Sequence, residues 1–174
     1  MDQSPRPERW RPLLASCFGL GYSPIMPGTC GALVGLAIYI PLALLVPEEP
    51  WLSVGIGTNL LLWCWMTVAL GRWAEDYYQK KDSQTFVTDE VAGFLFTVLL
   101  WHLPGQPVLT ALWAFPVTRL IDIVKVPPAK QLERLPAGWG VLADDLLGSV
   151  YAAGILWTFR LAAPGWFTGS ELPG

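Results

Sequence analysis

Residues 12–47, 50–71, 91–118 and 146–159 contain no Asp, Glu, Lys or Arg. A run of about 20 predominantly apolar residues is enough to cross a bilayer as a helix. Residues 30–46 and 51–70 each meet that requirement. The third run is too long for one span, and the turn-forming sequence His102-Leu103-Pro104-Gly105-Gln106-Pro107 divides it. It reads as two helices, 88–103 and 107–124, and a fifth is expected at 145–163. The expected fold is all-α: a single membrane domain over residues 1–174, an integral membrane helical bundle of about five membrane-embedded helices with the site on its loops. A soluble bundle is the alternative, but 174 residues offer too little interior to hide five such helices.

Composition narrows the function classes. Charged residues make up 14% of the chain, against roughly 25% in average soluble domains. Low charge and high hydrophobicity argue against disorder. A net charge of -3 without a basic run argues against nucleic-acid binding. The three cysteines do not form a disulfide framework. Leu14-Ala15-Ser16-Cys17 has the look of a lipoprotein cleavage box, but only Leu13 and Leu14 follow Pro12 ahead of it. The apolar segment that a signal peptide needs is missing, so no cleavage is expected there.

The remaining charge is sorted by position. Every Lys and Arg except Arg160 falls before the first span or in the loops 71–87 and 119–143. Basic residues collect in cytoplasmic loops, so these segments are expected to face the cytoplasm. Every acid except Glu48, Glu49 and Glu171 falls on the same side. Asp89, Glu90, Asp122, Asp144 and Asp145 border apolar helices, where carboxylates are costly unless paired and are functional suspects.

Four constellations carry the candidate chemistry. In Thr88-Asp89-Glu90-Val91-Ala92-Gly93, Thr88 can cap a helix whose first turn favours acids, and Gly93 permits close approach of a backbone or ligand. Arg119, Asp122 and Lys125 recur every three residues and share one helix face, which also suits a plain surface ion-pair ladder. Gly138-Trp139-Gly140 reads as a loop delivering Asp144 and Asp145 to the start of the fifth helix. Paired acids without adjacent bases suit a hard divalent cation such as Mg²⁺, although they also suit helix capping. The glycine–proline segment 19–31 offers Ser23, Gly28 and Thr29 as donors to an anion before a helix. It serves equally as a turn, with Gly31 and Gly35 forming a small-residue packing face. Taken together, metal-binding acids and anion-binding donors on one membrane face point to phosphoryl chemistry on a lipid phosphate.

The motifs Ser23-Pro24-x-x-Pro27-Gly28-Thr29, Asp89-Glu90-x-x-Gly93, Arg119-x-x-Asp122-x-x-Lys125-x-Pro127-Pro128 and Gly140-x-x-x-Asp144-Asp145-x-x-Gly148 resemble those of the phosphatidylglycerophosphatase A family. The resemblance runs from about residue 13 to 162. It departs where the family has Lys-Pro and this chain has Lys125-Val126-Pro127. It implies a Mg²⁺-dependent membrane phosphatase that hydrolyses the phosphomonoester of phosphatidylglycerophosphate in phospholipid synthesis. On that basis Asp89, Glu90, Asp144 and Asp145 are expected to hold metal, with Asp122 as a further ligand or orienter. Arg119, Lys125, Ser23, Gly28 and Thr29 are expected to bind phosphate. Asp89, Asp122 and Asp145 are the catalytic candidates; a carboxylate acts either as general base, with Asp89 first choice, or as nucleophile. His102 is expected at the opposite face and the cysteines outside the chemistry. The competing classes are a lipid phosphotransferase of the CDP-alcohol type, whose Asp-Gly and Ala-Arg pairings this chain lacks, and an ion carrier, which would place charge at the bilayer midplane.

Overall fold

The computed structural model describes residues 10–81, 83–132 and 135–167. Arg6, Arg9 and Arg134 of the orientation argument lie outside the described residues, as do the acids Asp2, Glu8, Asp82, Glu133 and Glu171. Among the described residues the chain is helical, without strands. A short α1 (Trp10–Ala15) precedes α2 (Pro27–Leu45), α3 (Trp51–Tyr78), α4 (Thr88–Leu100) and α5 (Pro107–Val124). A four-residue α6 (Ala129–Leu132) and a long α7 (Gly138–Ala162) follow. The chain is a helical membrane bundle, and α2, α3, α5 and α7 are each long and apolar enough to cross a membrane. Less than half of each of these spans is buried within the protein. Leu61, Trp65, Leu112 and Leu161 stand on the outside, each more than 60% exposed, as a lipid-facing surface requires.

The fifth apolar helix, α4, differs from the others. Its 13 residues span about 20 Å, short of the roughly 30 Å hydrocarbon core. It is apolar on nearly all sides and therefore buried. It is the central post of the bundle, packed by α2, α3, α5 and α7. Its hydroxyls and carbonyls find partners on those neighbours: Thr67 donates to Thr88 at 2.9 Å, Thr118 to Thr97 at 3.1 Å, and Ser149 to the Gly93 carbonyl at 2.7 Å. In apolar surroundings such interhelical bonds hold helices together where the hydrophobic effect does not. Gly31 and Gly35 let α2 close on α4; a Cβ on Gly31 would stand 2.8 Å from the Val87 carbonyl oxygen.

Four boundaries differ from the sequence expectation by three residues or more, among them the end of α4, at Leu100 rather than 103. Helix α2 starts at Pro27 rather than 30, since proline suits a first helical position. Helix α3 runs on to Tyr78 rather than ending at 70; Arg72, Glu75 and Asp76 end the apolar run without ending the helix. Helix α7 begins at Gly138 rather than 145, so Gly138 and Gly140 are helical, not loop. The reason is packing: Gly138 sits on α3 with its Cα against the backbone of Thr67 and Val68, and a Cβ there would lie 2.9 Å from Val68 Cα. Asp144 and Asp145 consequently lie about two turns inside a helix.

This contact gives opposite outcomes for two glycines. Gly138→Ala forces α3 and α7 apart and is expected to destabilise by about 1–3 kcal/mol through overpacking. Gly57→Ala, whose Cβ meets nothing within 4 Å, is expected to stabilise by about 0.5–1 kcal/mol through helix propensity. Thermal unfolding in detergent measures both; equal shifts would contradict the packing.

Candidate active site

One end of the bundle opens into a cleft of about 250 Å³. Its walls come from the first turns of α2 and α4, the last turns of α5, and α7. Gly28 and Thr29 contribute from α2, Asp89 and Glu90 from α4, Arg119, Asp122 and Lys125 from the end of α5, and Asp144 and Asp145 from α7. The placement follows helix electrostatics. Asp89 and Glu90 occupy the first turn of α4, where the positive end of the dipole favours acids, and Lys125 caps the C-terminal end of α5.

Three ion pairs order the cleft. Arg119 Nη1 bonds the Glu90 carboxylate on α4 and lies 3.1 Å from Asp122 Oδ2 on its own helix. Lys125 caps α5 in the left-handed conformation, φ 47°, and its Nζ lies 3.1 Å from Asp144 Oδ2. Thus Arg119 and Asp122 do form the expected i,i+3 pair, while Lys125 reaches across to α7 instead of extending the ladder. The Asp144 side chain is 6% exposed, a depth at which a carboxylate requires a partner.

Carboxylate oxygens of Glu90, Asp122 and Asp145, one from each of α4, α5 and α7, lie within 4.8 Å of one another. Asp145 also stands near Asp89. Glu90, Asp122 and Asp145 are thus the set that could hold a metal ion, whereas Asp144 is engaged by Lys125. A Cβ on Gly93 would meet Asp145 Cβ at 3.4 Å, an ordinary contact, so the approach of α7 to α4 does not depend on that glycine. Gly28 is where α2 does need a glycine. A Cβ on it would strike the Glu90 carboxylate and stand 2.8 Å from Arg119 Nη2. The buried Thr29 hydroxyl has no hydrogen-bond partner and borders the cleft.

Ser23 is not brought into the cleft. It is half-buried, and its hydroxyl donates to the Ile25 carbonyl at 2.9 Å, closing the turn ahead of α2. Thr88 does not cap α4; Val87 is the capping residue, without a side-chain bond, because the Thr88 hydroxyl is held by Thr67. Lining residues absent from the sequence expectation are Met26, Ser83, Gln84, Phe86, Ile123 and Val141. None belongs to a charged motif, although Ser83 and Gln84 do sit in the polar loop just before Asp89.

Two groups stand outside the chemistry. Burial, aided by the Asp89 charge, pushes the Cys17 thiol up to about 12, so it carries no thiolate for attack. His102 lies at the far end of α4, where its Nε2 is 2.6 Å from Glu49 Oε1. Burial would raise the Glu49 pKa, but hydrogen bonds from Ser53 and His102 hold it below its ordinary value.

The Lys125–Asp144 pair is testable alone. Lys125→Met removes the cation facing a buried carboxylate and is expected to cost about 1–3 kcal/mol, below the cost of breaking a fully buried pair because Lys125 is partly exposed. Adding Asp144→Leu is expected to recover most of that loss, giving a coupling energy in a double-mutant cycle. Additive losses would refute the pairing.

Residues 13–160, nearly the whole described chain, match the phosphatidylglycerophosphatase A family. A phosphatidylglycerophosphatase A of Escherichia coli is 32% identical over 83% of this chain and 80% of its own length. That of Haemophilus influenzae is 29% identical over 85% and 87%. A protein of Bacteroides thetaiotaomicron, provisionally named a phosphatidylinositol-3-phosphatase, is 32% identical over 84% and 91%. No solved structure matches the chain. All three relatives are phosphatases by name, rather than phosphotransferases or carriers. With a polar cleft at one end of an apolar bundle and a family match across its length, this chain is a membrane phosphatase belonging to the phosphatidylglycerophosphatase A family.

Proposed function

We propose that the cleft hydrolyses the terminal phosphomonoester of phosphatidylglycerophosphate, releasing phosphatidylglycerol and inorganic phosphate, with Mg²⁺ as cofactor. The observation that carries this reading is the joining of three carboxylates from three helices with two cations at the end of a lipid-facing bundle. Two relatives bear that activity in their names.

The donor set fits a hard divalent ion. Carboxylates crowded within 4.8 Å repel one another unless a proton or cation intervenes, and all-oxygen ligands suit Mg²⁺ over softer metals. Glu90, Asp122 and Asp145 would hold it. Bound there, Mg²⁺ would neutralise phosphate charge and acidify a coordinated water.

The protein's own residues supply the remainder. Arg119 can present two N–H groups to phosphate oxygens, and Lys125 a point charge. The Thr29 hydroxyl and the first-turn N–H groups of α2 add neutral donors at a positive helix end. Asp89, nearly buried on α4, would accept the proton of the attacking water as general base. The water oxygen bonds to phosphorus, the bond from phosphorus to the glycerol oxygen breaks, and that oxygen takes up the proton that Asp89 removed from the water.

Purified Asp145→Asn should lose at least about tenfold to a hundredfold in phosphate release from this lipid, the loss seen when even the groups that orient a metal's ligands are removed. A chelator should abolish wild-type release and Mg²⁺ restore it. Near wild-type rates in a folded Asp145→Asn protein, or activity surviving chelation, would refute the metal role. Faster turnover of phosphatidylinositol 3-phosphate in the same assay would move the substrate to that lipid.

We infer further that the cleft faces the cytoplasm of the bacterial inner membrane. Arg11, Arg72, Lys80, Lys81, Arg119 and Lys125 lie toward the cleft end, while Arg160 is in the last turn of α7, the distribution of a cytoplasmic face. In a cysteine-free background, single cysteines at Gln106 and Gln79 read the orientation. An impermeant thiol reagent should label position 106 in whole spheroplasts and position 79 only after lysis; the opposite pattern inverts the topology.

A further inference from the structure

We propose that the groove between α5 and α7 seats one acyl chain of the phospholipid whose phosphate enters the cleft. This rests on the reading of the cleft as a lipid-phosphatase site. The groove has a volume of about 700 Å³. Ile121 and Val126 form its upper end, and Val150, Gly154, Thr158 and Ala162 run down its side. Steps of four along a helix keep one face, so these last four make a straight track of about 18 Å. The track is concave because Gly154 has no side chain; a Cβ there would meet nothing within 4 Å. Thr158 spends its hydroxyl on the Gly154 carbonyl at 2.8 Å, leaving its methyl to the groove.

Continuity with the cleft decides the occupant. Ile121 adjoins Asp122, and Val126 adjoins Lys125. Val150 follows Asp145 by little more than one turn of α7. The Tyr151 hydroxyl donates to the Pro127 carbonyl at 3.4 Å, which holds the segment after Lys125 against the top of the groove. A phosphate held by Arg119 and Lys125 leaves its glycerol at this rim, and a chain descending from the rim lies along the track. Bulk lipid touches every outer helix face without preference. The groove differs in starting beside the phosphate site, so its contact with the chain orients the scissile bond rather than merely adding affinity.

The test compares dipalmitoyl with dihexanoyl phosphatidylglycerophosphate in mixed micelles, using wild type, Gly154→Trp and the control Gly57→Trp. Gly57 also lacks neighbours for a Cβ but stands on α3. Filling the groove should lower the ratio of kcat/KM for the long-chain over the short-chain lipid by about fivefold or more, since only the long chain loses a positioning contact. Gly57→Trp should leave that ratio at the wild-type value. An unchanged ratio in Gly154→Trp, or an equal fall in both variants, overturns the groove. Wild-type protein that hydrolyses neither lipid overturns the substrate reading instead, a result distinguishable before any variant is made. Should Gly154→Trp fail to fold, Gly154→Leu makes the same comparison with a smaller filler.

Discussion

The contact between Arg119 and Glu90 joins the end of α5 to the start of α4, and the geometry of the cleft depends on it. A guanidinium only 11% exposed at the end of an apolar bundle is costly unless carboxylates face it. Glu90 and Asp122 face it together. The same cation relieves the repulsion between these acids and so permits Asp145 to approach them from α7. Removal of the positive charge would leave three helices converging on mutually repelling groups. Ion pairing here works less as glue than as the condition for assembling the acids at all.

The short central helix sets where this assembly occurs. Because α4 is enclosed by its neighbours, it need not match the bilayer thickness. Its first turn lies at the floor of the cleft beside the first turn of α2. Two positive helix ends thus point into the same space, one carrying Asp89 and Glu90, the other lined by Gly28 and Thr29. Helix dipoles hold acids and attract anions at such ends. The C-terminal end of α5 supplies the opposite polarity and bears Lys125. A small residue makes the convergence possible: Gly28 clears the Arg119–Glu90 pair.

The apolar architecture was legible in the sequence because each long helix contains a stretch without charge, and charge is what a bilayer forbids. The ends were not, since a helix continues past the first charged residue when packing favours it, as at Arg72, Glu75 and Asp76. Gly138 and Gly140 read as a loop because glycine lowers helix propensity, yet both are helical, and close contact with α3 demands glycine at position 138. The site residues could be nominated from their position at helix ends, and all but Ser23 border the cleft. Ser23 shared the glycine–proline segment with Gly28 and Thr29, but a linear motif does not tell which of its hydroxyls a turn consumes. Nor could spacing show that Glu90, Asp122 and Asp145 form the tight group while Asp144 pairs with Lys125. Residues 144 and 145 differ by about 100° around α7, and only the packing of α7 against α4 and α5 reveals which way each points.

The charge of the cleft bears on how it could accept a phosphate. Five carboxylates and two cations border it, and both cations are already engaged by acids. A phosphomonoester brings up to two further negative charges. Arg119 and Lys125 could turn toward it only by leaving Glu90, Asp122 and Asp144 without their compensation, in a setting where such charge is poorly screened. On the reading proposed here, binding of substrate and binding of a divalent cation are therefore coupled: each supplies the charge that the other needs. The arrangement of acids that would repel a lone phosphate is the same arrangement that would recruit the metal required to admit it.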